Sequence, residues 1–272
     1  MRALYFCCIL LAYCYWTSGV KTVRGLLLFL RFVGTNYCGS QVQPNGVTVM
    51  QRLQDSIEHV FGARLPIKCC SRTDSGVHAN MFCVGLVTER TIPCDAVVRA
   101  LNASLPYDMA VYDCREVAPT FHARYDARGK EYVYKIYNAA ERNPFYHGLA
   151  YHYRRPIDEQ ALGALCRGFV GTHDFRALCS AHSGVKDTVR TIQQCAVTRD
   201  GDLVQFRVRG DGFLYNMVRI MVGTLIKADE TGGTEGDIRE IIRSCDRSRA
   251  GFTAPAHGLY LNKVYYDQDV FL

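Results

Sequence analysis

No C-x-x-C pair, no H-E-x-x-H, no G-x-x-x-x-G-K-[ST] and no G-x-G-x-x-G occurs in the 272 residues. Zinc fingers, zinc proteolysis, nucleotide hydrolysis and hydride transfer therefore have no support in the sequence, and neither a metal nor a cofactor is expected. A strong charge of either sign is lacking too. The 32 basic and 26 acidic residues leave +6, a mild excess that favours an anionic partner without identifying it. The apolar stretch Met1 to Trp16, with Arg2 its only charge, is too short to cross a bilayer as a helix. It has the look of a crude signal peptide, but is read as an upstream extension, or the product of a misplaced start codon, outside the fold.

Cysteine is plentiful. Thirteen are spread along the chain, an odd number, and the close pairs Cys7-Cys8 and Cys69-Cys70 are adjacent, which is not a zinc-ligand spacing. They are read as reduced, mostly buried thiols of a cytoplasmic protein. A secreted cysteine-rich domain is the opposing reading, and it rests only on the leader and the thiols.

With 49% apolar residues the chain can bury one large core or two modest ones. Gly25 to Val33 reads as a strand, Thr48 as the cap of a helix closed by Gly62, with Gln51 completing a capping box, and Leu65 to Cys70 and Met81 to Val87 as strands. A helix over Asp95 to Asn102 and a strand over Met109 to Val117 follow. The same β-α-β-β-α-β order returns: strand Lys130 to Asn138, helix Asp158 to Val170, strand Thr188 to Thr198, a hairpin at Asp200-Gly201, helices Phe213 to Lys227 and Asp237 to Ser244, and strand Leu259 to Tyr266. The expected fold class is α+β: two ferredoxin-like (RRM-like) halves with largely antiparallel sheets around a central cleft, the sheets sharing an edge or facing each other. The leader takes 1–23, the first half 24–128 and the second 129–272.

Between two of these strands lies Arg72-Thr73-Asp74-Ser75-Gly76-Val77-His78-Ala79. The bland reading is an Asx-turn with Gly76 at positive φ; the sharper one makes Asp74 a reactive carboxylate. From Phe121 to Tyr137, aromatics alternate with cations that include Arg124 and Lys130, the composition of a surface that stacks bases and neutralises phosphates. Arg219 is a cation on an apolar helix, and is either snorkelling at the surface or aimed at a carboxylate.

The string Arg72 to Ala79 resembles the active-site signature of the tRNA pseudouridine synthase A (TruA) family. Phe121-His122-Ala123-Arg124, Tyr132-Val133-Tyr134, Gly171-Thr172-His173-Asp174-Phe175, Phe213 to Gly223 and Ala256 to Leu261 are similar to further family blocks, in the family's order from about Arg24 to Tyr266. The loop Gly34 to Gly46 also resembles the family, but Val33 and Ser40 stand where an aspartate and a tryptophan are common. Those departures bear on the loop's packing or RNA contacts, not on the chemistry.

The resemblance implies an isomerase that turns uridine into pseudouridine at positions 38 to 40 of the tRNA anticodon stem-loop, working as a homodimer without a cofactor or a membrane. It makes Asp74 the nucleophile, Tyr132 the residue that stacks on the target base and takes part in proton transfer, and Arg219 the partner that keeps the carboxylate ionised. Arg72 would help flip the base, and Arg124 and Lys130 would bind substrate. His78, His173 and Asp174 are assigned to packing and loop geometry. The rival class is a non-catalytic RNA-binding protein of two RRM-like halves, which would usually show the RNP aromatic motif; none is found.

Overall fold

The computed structural model describes residues 23–180 and 184–272. Residues 1–22 of the leader lie outside the described residues, and with them the reading of that stretch as an extension. The chain is α+β, with one large and mostly antiparallel sheet.

The first half is β1 (Arg24–Phe32), α1 (Val49–Phe61), β2 (Ile67–Cys69), β3 (His78–Thr88), α2 (Cys94–Ser104) and β4 (Met109–Val117). Residues Leu26 to Leu30 of β1 are consecutively buried, in a strand whose two edges pair with β3 and β4, and burial of both faces accounts for an apolar run without alternation. The Gln51 amide donates to the Thr48 hydroxyl to start α1, and Gly62 closes it in the left-handed region. The strands lie in the order β4-β1-β3-β2, every pair antiparallel.

The second half comprises β5 (Gly129–Tyr137), β6 (Tyr151–His152), α3 (Glu159–Cys166), β7 (Gly171–Asp174), β8 (Val189–Asp200), β9 (Leu203–Gly210), α4 (Met217–Glu230), α5 (Glu235–Ser244) and β10 (Leu259–Tyr265). Its main order is β10-β5-β9-β8, again antiparallel, with β7 added outside β8 and β6 beside β5. The two halves thus repeat one strand order.

Two separate sheets are not what forms. Tyr260 and Leu261 of β10 pair in parallel with His78 and Ala79 of β3, so the halves merge into one ten-stranded sheet. Strand β3 can serve both because it has 11 residues: its C-terminal part pairs with β2 and its start with β10. Between those two partners the edge of β3 forks, and the connection from Cys70 to Val77 crosses the fork.

Three boundaries differ from expectation for local reasons. The helix expected from Asp158 to Val170 is α3 followed by a 3-10 turn at Arg167–Phe169. The helix expected from Phe213 starts at Met217, because Asn216 adopts φ 59 and breaks the helical path. The hairpin loop is Gly201-Asp202, one residue later than expected, since Asp200 pairs with Leu203. Gly201 at φ 55 suits the first position of a type II′ turn.

Helix α4 is buried on nearly all sides. A Cβ on Gly223 would lie 1.9 Å from the Phe252 carbonyl oxygen, so only glycine admits the segment that passes there. That close approach brings Ala254 beside the first turn of α4, where its carbonyl meets Arg219.

Candidate active site

The turn that carries Asp74 is held by backbone. The Val77 amide donates to the Asp74 carbonyl at 3.2 Å, with Gly76 at φ 78. Beneath it, the Ser40 amide donates to the Thr73 carbonyl at 3.0 Å, and the Thr73 amide donates to the Ser40 hydroxyl at 2.8 Å. Ser40 is fully buried, so it clamps the peptide before Asp74 from both sides. A Cβ on Gly39 would stand 2.7 Å from the Thr73 carbonyl oxygen, and this glycine has φ +80. The Tyr37 carbonyl accepts from the Ser75 hydroxyl and the Gly76 amide. His78, also fully buried, accepts from the Gly34 amide at Nδ1 and donates from Nε2 to the His257 carbonyl, so both ring nitrogens are taken by backbone.

From the other half, Arg219 reaches the same place. Its Nη1 lies 3.3 Å from Asp74 Oδ2, just beyond the ordinary hydrogen-bond range of about 2.7 to 3.2 Å, and the contact uses one nitrogen rather than both arms of the fork. Arg219 Nε donates to the Ala254 carbonyl at 2.7 Å, and Nη1 also donates to Asn216 Oδ1 at 2.7 Å. Asn216 Nδ2 in turn donates to the Ser180 hydroxyl at 2.9 Å. The guanidinium is aimed by its neighbours, not snorkelling.

Burial pushes the Asp74 carboxyl above its ordinary value, and the charge and hydrogen bond of Arg219 pull it back only in part. Arg219 thus favours the ionised form against desolvation, which is the larger influence.

Tyr132, on β5, lines the same cleft of about 740 Å³ as Asp74. It is nearly buried. Its hydroxyl stands 3.3 Å from the Ser71 hydroxyl and its ring meets Phe213 edge to face at 5.0 Å, while burial raises its pKa. Arg72, Arg124 and Lys130 line the cleft too, and none has a carboxylate partner among the described residues. Arg72 and Arg124 are exposed; Lys130 is sunk deeper, and burial with the like charge of Arg124 lowers its pKa. No group of three or more potential metal ligands occurs among the described residues.

His173 and Asp174 stand outside this cleft. His173 Nε2 meets the Val170 carbonyl, and Asp174 accepts from the Arg176 amide and the Thr188 hydroxyl, which are loop-shaping contacts. Reading the sequence missed Asn216, Ser71 and the Ala254 carbonyl. Only Asn216 carries a signal, as an asparagine in an apolar stretch where a left-handed residue can stop a helix before it starts.

A family model described as tRNA pseudouridine synthase matches residues 29–126 and 165–267. The tRNA pseudouridine synthase A of Clostridium kluyveri is 39% identical over 244 residues, 90% of this chain and 100% of that protein. Its counterpart from Acetivibrio thermocellus is 41% identical over the same length, with the same coverage. Among solved structures, a Cbf5-Nop10-Gar1 complex overlays 74% of this chain and 53% of its own at 15% identity, with a TM-score of 0.36, too low to add to the fold. The chain belongs to the TruA family of tRNA pseudouridine synthases.

Proposed function

We propose that this protein isomerises uridine to pseudouridine in the anticodon stem-loop of tRNA, at positions 38 to 40. The reaction breaks the bond from N1 of the base to C1′ of the ribose, turns the uracil, and joins C5 to C1′. The C5 proton is lost and N1 gains one, so nothing is oxidised or reduced. The observation that carries this reading is the meeting of Asp74 and Arg219 at 3.3 Å, 145 residues apart in sequence, in a cleft that Tyr132 also lines.

Asp74 is the reactive carboxylate in this reading. Arg219 occupies Oδ2, and Oδ1 has no protein partner among the described residues. An attack through Oδ1 on the ribose or on the base would satisfy the geometry equally. The target base has to leave its stem, at a cost of roughly a few kcal/mol. Tyr132 stacks on it and relays a proton, Arg72 takes part in the flip, and Arg124 and Lys130 meet phosphates. Cations without carboxylate partners beside a reactive acid suit a polyanion better than a neutral ligand.

The two halves, 24–128 and 129–272, act as ferredoxin-like repeats that each supply one side of the cleft. Residues 1–23 are dispensable for activity, and the working form is a cytoplasmic homodimer. No described helix is long and apolar enough to cross a membrane.

The test is incubation of an unmodified tRNA transcript with the purified chain, followed by mapping of pseudouridine. Product at one or more of positions 38 to 40 is expected. Tight binding without any product would favour the non-catalytic RNA-binding alternative.

A further inference from the structure

Residues Phe213 to Asn216 form one wall of the cleft, and three of them have evident employment. Phe213 packs its ring on Tyr132, Leu214 is buried with its amide on the Met217 sulfur, and Asn216 holds Arg219. Tyr215 is different. The residue is 50% exposed, and its side chain lines the cleft and makes no hydrogen bond or ring contact with any described residue.

Its backbone, by contrast, is fixed. The Tyr215 carbonyl accepts from the Ser180 amide at 3.1 Å, and the next residue is the left-handed Asn216 tied to both Ser180 and Arg219. An aromatic ring on a rigid wall, with an open face and no protein partner, is a ready platform for a flat apolar ligand.

We propose that Tyr215 is a stacking subsite for a nucleobase adjacent to the flipped uracil. This rests on the reading of the protein as an RNA-modifying enzyme. The target itself is met lower in the cleft, where Tyr132 is nearly buried beside Asp74. Removing one base from a helical stack uncovers the faces of its neighbours. A tyrosine on the wall recovers that stacking without reading base identity, because every base offers a π-face. The subsite therefore contributes to substrate affinity and to holding the opened stem, not to the bond-making step.

The experiment uses an anticodon stem-loop RNA with 2-aminopurine beside the target uridine, bound to wild type, Tyr215→Ala and Tyr215→Phe. Stacking predicts that Tyr215→Ala weakens RNA binding about tenfold, that the probe is brighter in its complex than in the wild-type complex, and that Tyr215→Phe matches wild type in both. At saturating RNA the turnover of Tyr215→Ala should fall by less than its affinity does. Equal affinity and equal fluorescence in the Ala and wild-type complexes would overturn the proposal, as would a loss confined to turnover. Binding and fluorescence are read without reference to product, so the outcome is distinct from whether wild type forms pseudouridine.

Discussion

The two halves hold their contributions to the cleft by different means. Asp74 sits in a turn fastened by main-chain groups: the Thr73 and Val77 amides, the Tyr37 and Thr73 carbonyls, and the close passage of Gly39. Arg219 sits on a helix but is aimed through its own guanidinium, by the Ala254 carbonyl and the Asn216 side chain. A group fixed by backbone is robust to the loss of one side chain. A group held in part by another side chain is exposed to it. Damage of similar chemical size should therefore cost more in the second half than in the first.

The largest effect is expected at Asp74, the proposed reacting group. Asp74→Asn should abolish pseudouridine formation in a single-turnover assay while leaving the tRNA Kd unchanged. Its thermal midpoint at neutral pH should be equal to or slightly above that of wild type. Burial raises the folded pKa of Asp74 above its unfolded value, so its ionised form costs stability as pH rises through that window. Asparagine does not carry that cost, and the difference should vanish in acid.

Arg219→Gln should lower the single-turnover rate on the order of a hundredfold with a smaller change in Kd, because an aimed cation at a reacting centre acts mainly on the chemical step. A loss seen only in Kd would make it a substrate anchor instead. The double variant Arg124→Ala with Lys130→Ala should bind tRNA more weakly with the rate at saturation less affected. The slope of log affinity against log salt should shrink by about two, one for each phosphate that is no longer neutralised.

The direct comparison of the halves is the smallest effect. Asn216→Ala removes the aim of Arg219, and about a tenfold fall in rate is expected. Ser40→Ala removes one of two bonds to Thr73 and leaves the other, made by the Ser40 backbone, in place; about a threefold fall is expected. If Ser40→Ala proves the more damaging, the contrast between the halves is wrong.

The meeting of Asp74 and Arg219 was legible because each is an unusual residue in a marked place. An arginine on an otherwise apolar helix and an aspartate in a polar turn each pose a burial problem, and each is the other's answer. The succession of the main strands along the chain was legible from hydrophobic period and turn residues, while the short β6 and β7 were not. Which of the two arrangements holds, a shared edge or facing sheets, was not, since two residue pairs between β3 and β10 leave no local pattern. The start of α4 was hidden because Phe213 and Leu214 continue the apolar run of the helix, while the break lies in one dihedral angle of Asn216. Ser40 stood out as a departure from the family pattern, yet its use as the clamp on Thr73 depends on a loop approach that only three dimensions reveal.

The central claim is that the ionisation of Asp74, set by burial against Arg219, governs the reaction. The single-turnover rate against pH, in wild type and in Arg219→Gln, measures it most directly. In wild type the rate should fall on the acid side through a pKa above the ordinary aspartate value of about 3.9, since burial is the largest influence on Asp74. In Arg219→Gln the same limb should move to still higher pH, because the opposing cation is gone. A wild-type limb at or below the ordinary value, or a limb that stays in place or moves down in the variant, would contradict the account.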